Sequence, residues 1–178
     1  RSTTTEKILS DIMASMHSEA HVDIMFGLAG LAGGVHAWTQ HCPSAHHNRT
    51  TVNLLKAIGE SLLNTQEEQG YWTFEGRPQT GFAHGTSGIM AALAMIAKHT
   101  QLQVDDALER AIQFELNQLK AHQPMIGDHL LSNSTVQMVY GMWCRGSAGI
   151  LLAMAVVQQS GMQHLRGFNE LTQLVKER

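Results

Sequence analysis

The sequence is poor in several residue types, and each shortage narrows what it can be. Cysteine occurs twice, at Cys42 and Cys144, and proline three times, while aromatic residues make up 6% and charged residues 15% of the 178. Two distant cysteines form no disulfide framework, so a reducing cytoplasm is the expected compartment. The net charge of −3 and the absence of any dense Lys/Arg cluster argue against nucleic acid as a partner. The longest apolar runs, Ile89 to Ala97 and Ala148 to Val157, fall short of the roughly 20 residues that a membrane-spanning helix requires. The first residues, Arg1-Ser2-Thr3-Thr4-Thr5, are neither an initiator Met nor a signal peptide. The length suffices for one domain with a real core. Histidine, by contrast, is plentiful: eleven invite metal or acid–base chemistry without deciding between them.

Self-similarity is the strongest positive feature. Gly27-Leu28-Ala29-Gly30-Leu31, Gly85-Thr86-Ser87-Gly88-Ile89 and Gly146-Ser147-Ala148-Gly149-Ile150 share one pattern: Gly, any residue, small residue, Gly, branched aliphatic. Their first glycines are spaced by 58 and then 61 residues, enough for two helices and two loops. The segments Ile89–Ala97 and Ile150–Val157 are apolar nearly all round, which predicts helices buried on most faces, with their methionines as core packing. An amphipathic helix follows each. Val104, Ala107, Leu108, Ala111, Ile112 and Leu119 fall at helical spacing, as do Val52, Leu55, Ile58 and Leu62, and Leu165, Phe168, Leu171 and Leu174. Ile8, Leu9, Ile12, Met13 and Met16 look like the same kind of helix from an earlier repeat. Alternation of buried and half-exposed helices predicts an all-α architecture in two concentric layers, with few strands. Three repeats make only an arc of a closed ring, and no polar cap covers its ends, so residues 1–178 are expected to be one partial domain cut from something longer.

If the inner helices run parallel, their N-termini gather at one rim, where unpaired N–H groups and the positive dipole end favour anions such as a thiolate. Three chemistry-bearing residues precede the glycine motifs there: Asp23, His84 and Cys144. Each has a plainer alternative. Asp23 could cap a helix, His84 could be a hydrogen-bonded rim residue, and Cys144 a small buried one. Histidine is nevertheless the commonest general acid–base. One cysteine is not a zinc site, because zinc takes three or four protein ligands. Cys42-Pro43-Ser44-Ala45-His46-His47 lacks a paired C-x-x-C and reads as a surface loop at the far rim.

Taken together, these corners resemble a known family. Gly81-Phe82-Ala83-His84-Gly85-Thr86-Ser87-Gly88-Ile89 resembles the G-x-x-H-G-x-x-G signature of LanC-type lanthionine cyclases. Trp143-Cys144-Arg145-Gly146-Ser147-Ala148-Gly149-Ile150 is similar to their W-C-x-G-x-P-G-I signature, and Asp23-Ile24-Met25-Phe26-Gly27-Leu28-Ala29-Gly30 to the earlier D-x-x-x-G-x-A-G turn. The three occur in family order. The G-F-A-H-G wording is similar to that of the C-terminal cyclase domain of class II, LanM-type synthetases. The resemblance implies an α/α toroid of seven inner and seven outer helices with zinc at its centre. It implies an enzyme that adds cysteine thiolates of a dehydrated precursor peptide to dehydroalanine or dehydrobutyrine, served by a dehydratase domain or partner. It implies Cys144 as a zinc ligand, joined in the family by the Cys and His of a later C-H-G motif. It also implies His84 and Asp23 as the acid–base pair. No C-H-G occurs in these residues, so they alone are expected to bind zinc poorly and to be inactive. Other departures are Arg145, where the family often has His or Tyr, Ala148 in place of the motif's proline, and Tyr140, where some members carry arginine.

Two other functions compete. An α/α-toroid glycoside hydrolase would need two carboxylates, from Asp23, Glu75 and Asp128, and a cleft lined with aromatics, of which the chain has few. A non-catalytic LanC-like protein that binds a thiol or a partner would carry the same glycine turns.

Overall fold

The computed structural model describes residues 7–8, 11–12, 14, 21–42, 48–121 and 141–177. Among these residues the elements are, in order, α1 (Leu28–His41), α2 (Arg49–Asn64), β1 (Thr73–Phe74), β2 (Arg77–Pro78), α3 (Thr86–Thr100), α4 (Asp105–Lys120), α5 (Ser147–Gln159) and α6 (Phe168–Lys176). Among the described residues the chain is therefore all-α apart from two paired dipeptides, as the lack of period-2 patterning predicts. No helix among the described residues is long and apolar enough to cross a membrane.

Local chemistry sets the helix ends. The Asn48 side chain accepts the Thr50 and Thr51 amide protons and so starts α2. Helix α4 has Asp105 and Asp106 in its first turn and Lys120 in its last, each sign matched to the helix dipole. Helix α3 stops at Gln101, whose left-handed backbone returns its N–H to the Ala97 carbonyl. Between β1 and β2, Glu75 (φ 52°) and Gly76 (φ 73°) make a two-residue loop with both φ positive, the twist a tight hairpin needs.

The helices stack in two layers. Helices α1, α3 and α5 form an inner row in which α3 packs against both of the others, and α2, α4 and α6 lie outside them. Backbone hydrogen bonds join the turns before the inner helices: Ile24 N–H to the Ala83 carbonyl (3.1 Å) and Ala83 N–H to the Cys144 carbonyl (3.0 Å). At the other end a His36–His99 ring contact links α1 to α3, and Lys98 Nζ donates to the Gln159 carbonyl of α5. The inner helices thus run parallel, with all three N-termini at one rim.

The second glycine of each motif has a common steric origin. A Cβ on Gly30, Gly88 or Gly149 would sit 2.0, 1.9 or 1.9 Å from the carbonyl oxygen of Ile24, Phe82 or Trp143, in each case six residues earlier. The turn before each inner helix folds back onto the helix's first coil so closely that only a hydrogen fits.

Two sequence expectations need correction. Helix α3 is buried along nearly its whole length, but α5 exposes Leu152 (45%) and Ala155. The composition of the two helices is alike; what differs is that α3 packs between two inner neighbours, whereas the inner neighbour that α5 packs against among the described residues is α3. Leu165 is buried but precedes α6, which starts at Phe168 because Gly167 takes a left-handed φ of 83°. In the earliest segment, described residues 7, 8, 11, 12 and 14 are helical, with Ile12 packed on the core and Ile8 exposed. Leu9, Met13 and Met16 lie outside the described residues.

Candidate functional site

Each inner helix begins at an extended glycine, Gly27, Gly85 or Gly146, with no side chain capping it. The turn just before each glycine folds over the helix start, and its carbonyls take the first helical N–H groups: Leu28, Ala29 and Gly30 donate to His21, Val22 and Asp23, and Thr86 and Gly88 to Gln79 and Gly81, so, against the sequence expectation, these amides are not free to receive an anion. The two inter-turn hydrogen bonds place Asp23 beside Ile24, His84 beside Ala83, and Cys144 itself along one continuous strip.

Asp23 and His84 meet directly. The Asp23 carboxylate is 1% exposed, and its Oδ2 is hydrogen-bonded to His84 Nδ1. Its Oδ1 accepts the Phe26 amide proton at 3.1 Å. Asp23 thus caps its own turn with one oxygen and holds an imidazole with the other, so the capping role and the acid–base role are not exclusive. A carboxylate accepts, so the Nδ1 proton points at Asp23 and the lone pair of neutral His84 falls on Nε2. Among the described residues Nε2 has no hydrogen-bond partner, and 18% of the His84 side chain reaches solvent.

Aromatic rings frame the imidazole. Phe26 stacks on His84 with centroids 5.6 Å apart, and Phe74 from the hairpin lies 4.2 Å away. Trp72, fully buried and donating its Nε1–H to the Leu62 carbonyl at 2.7 Å, anchors that hairpin to α2. Phe26 is 69% exposed and Trp143, next to Cys144, 51% exposed. Met25 and Met142 extend the same apolar rim.

Cys144 is half-buried and joins this site through the backbone, its carbonyl accepting the amide proton of the residue before His84. Zinc takes three or four protein ligands. Among the described residues no group of three or more His, Cys, Asp or Glu side chains could hold a metal ion.

Of the other candidates, Glu75 is exposed at the hairpin loop. Asp128, Tyr140 and residues 43–47 lie outside the described residues, while Cys42 ends α1 at the rim opposite the site.

Glu115 is a functional-site neighbour that the pattern reading passed over. It belongs to outer helix α4 yet is fully buried, its Oε1 accepting from the Ser87 hydroxyl and from Gly81 N–H at 3.4 Å. A signal was present: Leu108, Ala111, Ile112 and Glu115 share one helical stripe, so a carboxyl stands where an aliphatic side chain belongs. Burial pushes its carboxyl up to about 7, against the lowering pull of Ser87 and Gly81. An acid whose folded pKa is raised contributes most to stability below its unfolded value, and loses that contribution as pH rises through the folded one. Glu115→Gln has no proton to lose. Its stability relative to the parent should rise by about 3 kcal/mol between about pH 4 and about pH 8, read by urea unfolding at each pH. An unchanged gap would mean that Glu115 titrates normally.

The model of the family described as lanthionine synthetase C-like protein matches residues 2–177. No curated protein matches the chain at a significant level. A family match over almost every residue, on two layers of helices whose three glycine corners are joined by backbone hydrogen bonds, leaves one conclusion: the chain belongs to the lanthionine synthetase C-like family.

Proposed function

We propose that the chain is part of a lanthionine cyclase of the class II, LanM type, which closes thioether rings on a dehydrated precursor peptide delivered by a dehydratase domain or partner. The observation that carries this reading is the Asp23–His84 pair, buried on the carboxylate side and open at Nε2, on the strip that also holds Cys144.

The chemistry needs a proton taken from one place and returned to another. His84 Nε2 accepts the proton of the peptide cysteine thiol. The sulfur then bonds to the β-carbon of dehydroalanine or dehydrobutyrine, and the π electrons move toward the carbonyl as an enolate. The imidazolium at His84 delivers the proton to the α-carbon, and neutral imidazole is restored. Asp23 keeps the ring in the tautomer this cycle requires and stabilises its cationic stage. The exposed apolar rim of Met25, Phe26, Met142 and Trp143 suits the side chains flanking a reacting cysteine. Buried and aromatic neighbours limit water at the imidazole.

Cys144 is the thiolate this corner contributes to zinc, on the same reading. Replacing it with Ala in the full-length protein should lower zinc affinity by more than the roughly 10–100-fold that loss of an outer-shell partner costs. Zinc content by mass spectrometry checks this, and an unchanged stoichiometry refutes the role. The function itself is tested by incubating the full-length protein with a peptide bearing one cysteine and one dehydroalanine. Loss of the free thiol at unchanged peptide mass is expected, because ring closure is an isomerisation. A thiol that stays alkylatable rejects the cyclase reading and favours a member of the family that binds a thiol or partner without reacting it.

A further inference from the structure

The described residues include two buried acids, Asp23 and Glu115, and the proton cycle uses only the first. Glu115 reaches inward from the outer layer to a segment that bears directly on the site. Its Oε1 accepts from both ends of one stretch, the Gly81 amide and the Ser87 hydroxyl, and His84 stands midway between them. The same stretch is closed by Gly88 N–H to the Gly81 carbonyl at 3.3 Å and Thr86 N–H to the Gln79 carbonyl at 2.9 Å.

This stretch is also the seam with the Cys144 corner. Gly81 has a φ of +86°, and a Cβ there would sit 2.4 Å from the Arg145 α-carbon and 2.7 Å from the Cys144 carbonyl oxygen. Thr80 Oγ1 donates to the Arg145 carbonyl at 3.3 Å, and Ala83 N–H to that of Cys144. A displacement of Gly81 therefore moves both the imidazole and the backbone of the cysteine. The partner that fixes Gly81 from behind is Glu115.

We propose that Glu115 is a positioning residue: by gripping Gly81 and Ser87 with one carboxyl oxygen, it sets where His84 stands relative to Asp23 and the Cys144 corner. The inference rests on His84 as the proton carrier. The role is specific to an acceptor oxygen at that point. A leucine of similar size would complete the apolar stripe of α4 and fill the space but leave the Gly81 amide and Ser87 hydroxyl without their acceptor. The burial that raises the Glu115 carboxyl to about 7 shows that the position is held against an energetic cost. The second oxygen, Oε2, is buried with no partner among the described residues, so the grip depends on Oε1 alone.

The test compares Glu115→Gln, Glu115→Leu and Ser87→Ala in the full-length protein. Two readouts are taken: ring-closure kinetics on the cysteine–dehydroalanine peptide, and peptide-resolved amide hydrogen exchange. Glu115→Gln keeps an acceptor oxygen and should hold kcat within about threefold, whereas Glu115→Leu should lower kcat by about tenfold or more with KM and zinc content unchanged, as misplaced reacting groups do. Exchange should rise in residues 80–88 of Glu115→Leu and stay at parental level in α2 and α6. Ser87→Ala removes one of the two donors and should raise exchange in the same segment, which keeps the test open should Glu115→Leu fail to fold. Parental kcat and parental exchange in residues 80–88 overturn the proposal. So does a uniform rise in exchange across the molecule, which would make Glu115 a general stabiliser. Should the parent close no rings, the cyclase reading fails, and the exchange pattern still decides what Glu115 holds.

Discussion

Replacing His84 with Asn in the full-length protein should slow ring closure by about 10²–10⁴-fold while leaving the fold and the zinc content in place. Asparagine keeps much of the volume and can still hydrogen-bond to Asp23, but it can neither take a proton from a thiol nor give one to carbon. Asp23→Asn attacks the same step from behind. An amide would no longer hold the Nδ1 proton as a carboxylate does, so the imidazole loses its required tautomer and the stabilisation of its charged form. The two losses should not add, because both variants disable one unit. Initial rates of thiol consumption, measured for both single variants and the double variant, decide this. A His84→Asn protein at the parental rate would make the imidazole a structural rim residue. Additive losses would mean that Asp23 and His84 act separately.

Gly88→Ala should destabilise the fold by about 3 kcal/mol or more, although it adds only one methyl group. The new carbon would stand 1.9 Å from the Phe82 carbonyl oxygen and 2.6 Å from the Ile24 side chain. The oxygen is backbone and cannot swing aside, and moving it shifts the turn that carries His84. Gly33→Ala in α1 supplies the contrast. No atom lies within 4 Å of a Cβ there, so removing a glycine from a helix interior should stabilise by about 0.5–1 kcal/mol. Chemical unfolding of the two variants and the parent gives the comparison. If Gly88→Ala is no less stable than Gly33→Ala, the close contact of turn and helix is not what requires glycine in the motif.

That contact also explains why the repeats are so legible in the amino-acid sequence. A backbone oxygen pressed on Gly30, Gly88 and Gly149 permits one residue type, so the spacing of glycines records the architecture three times over. Helical periodicity marks α2 and α4 for the same reason: Leu55, Ile58 and Leu62, or Leu108 and Ile112, face one buried side, and their spacing is local. What periodicity cannot convey is who the neighbours are. Ile150–Val157 is as apolar as Ile89–Ala97, yet Leu152 and Ala155 face outward where no inner neighbour is described. Leu165 fits the apolar stripe of α6, yet the backbone of Gly167 ends that stripe short of it.

The site follows the same division. Asp23, His84 and Cys144 could be picked out because each stands within four residues before a glycine motif, and because the spacings resemble a family signature. The bond between Asp23 and His84 spans 61 positions and has no local trace. Phe74 comes to His84 from a hairpin whose strands are two residues each, too short to show alternation. Glu115 did leave a mark, a carboxyl in an apolar stripe, but its partners Gly81 and Ser87 lie 34 and 28 positions away and only the folded chain joins them.

The account centres on a proton that His84 carries from sulfur to carbon on one face of the substrate. Ring closure in heavy water by the full-length protein tests this most directly, because the α-carbon keeps whatever hydrogen it receives. Predicted is one non-exchangeable deuterium per ring, at an α-carbon of a single configuration. A peptide that gains no deuterium and keeps its thiol, or rings with both configurations in equal amounts, would contradict it.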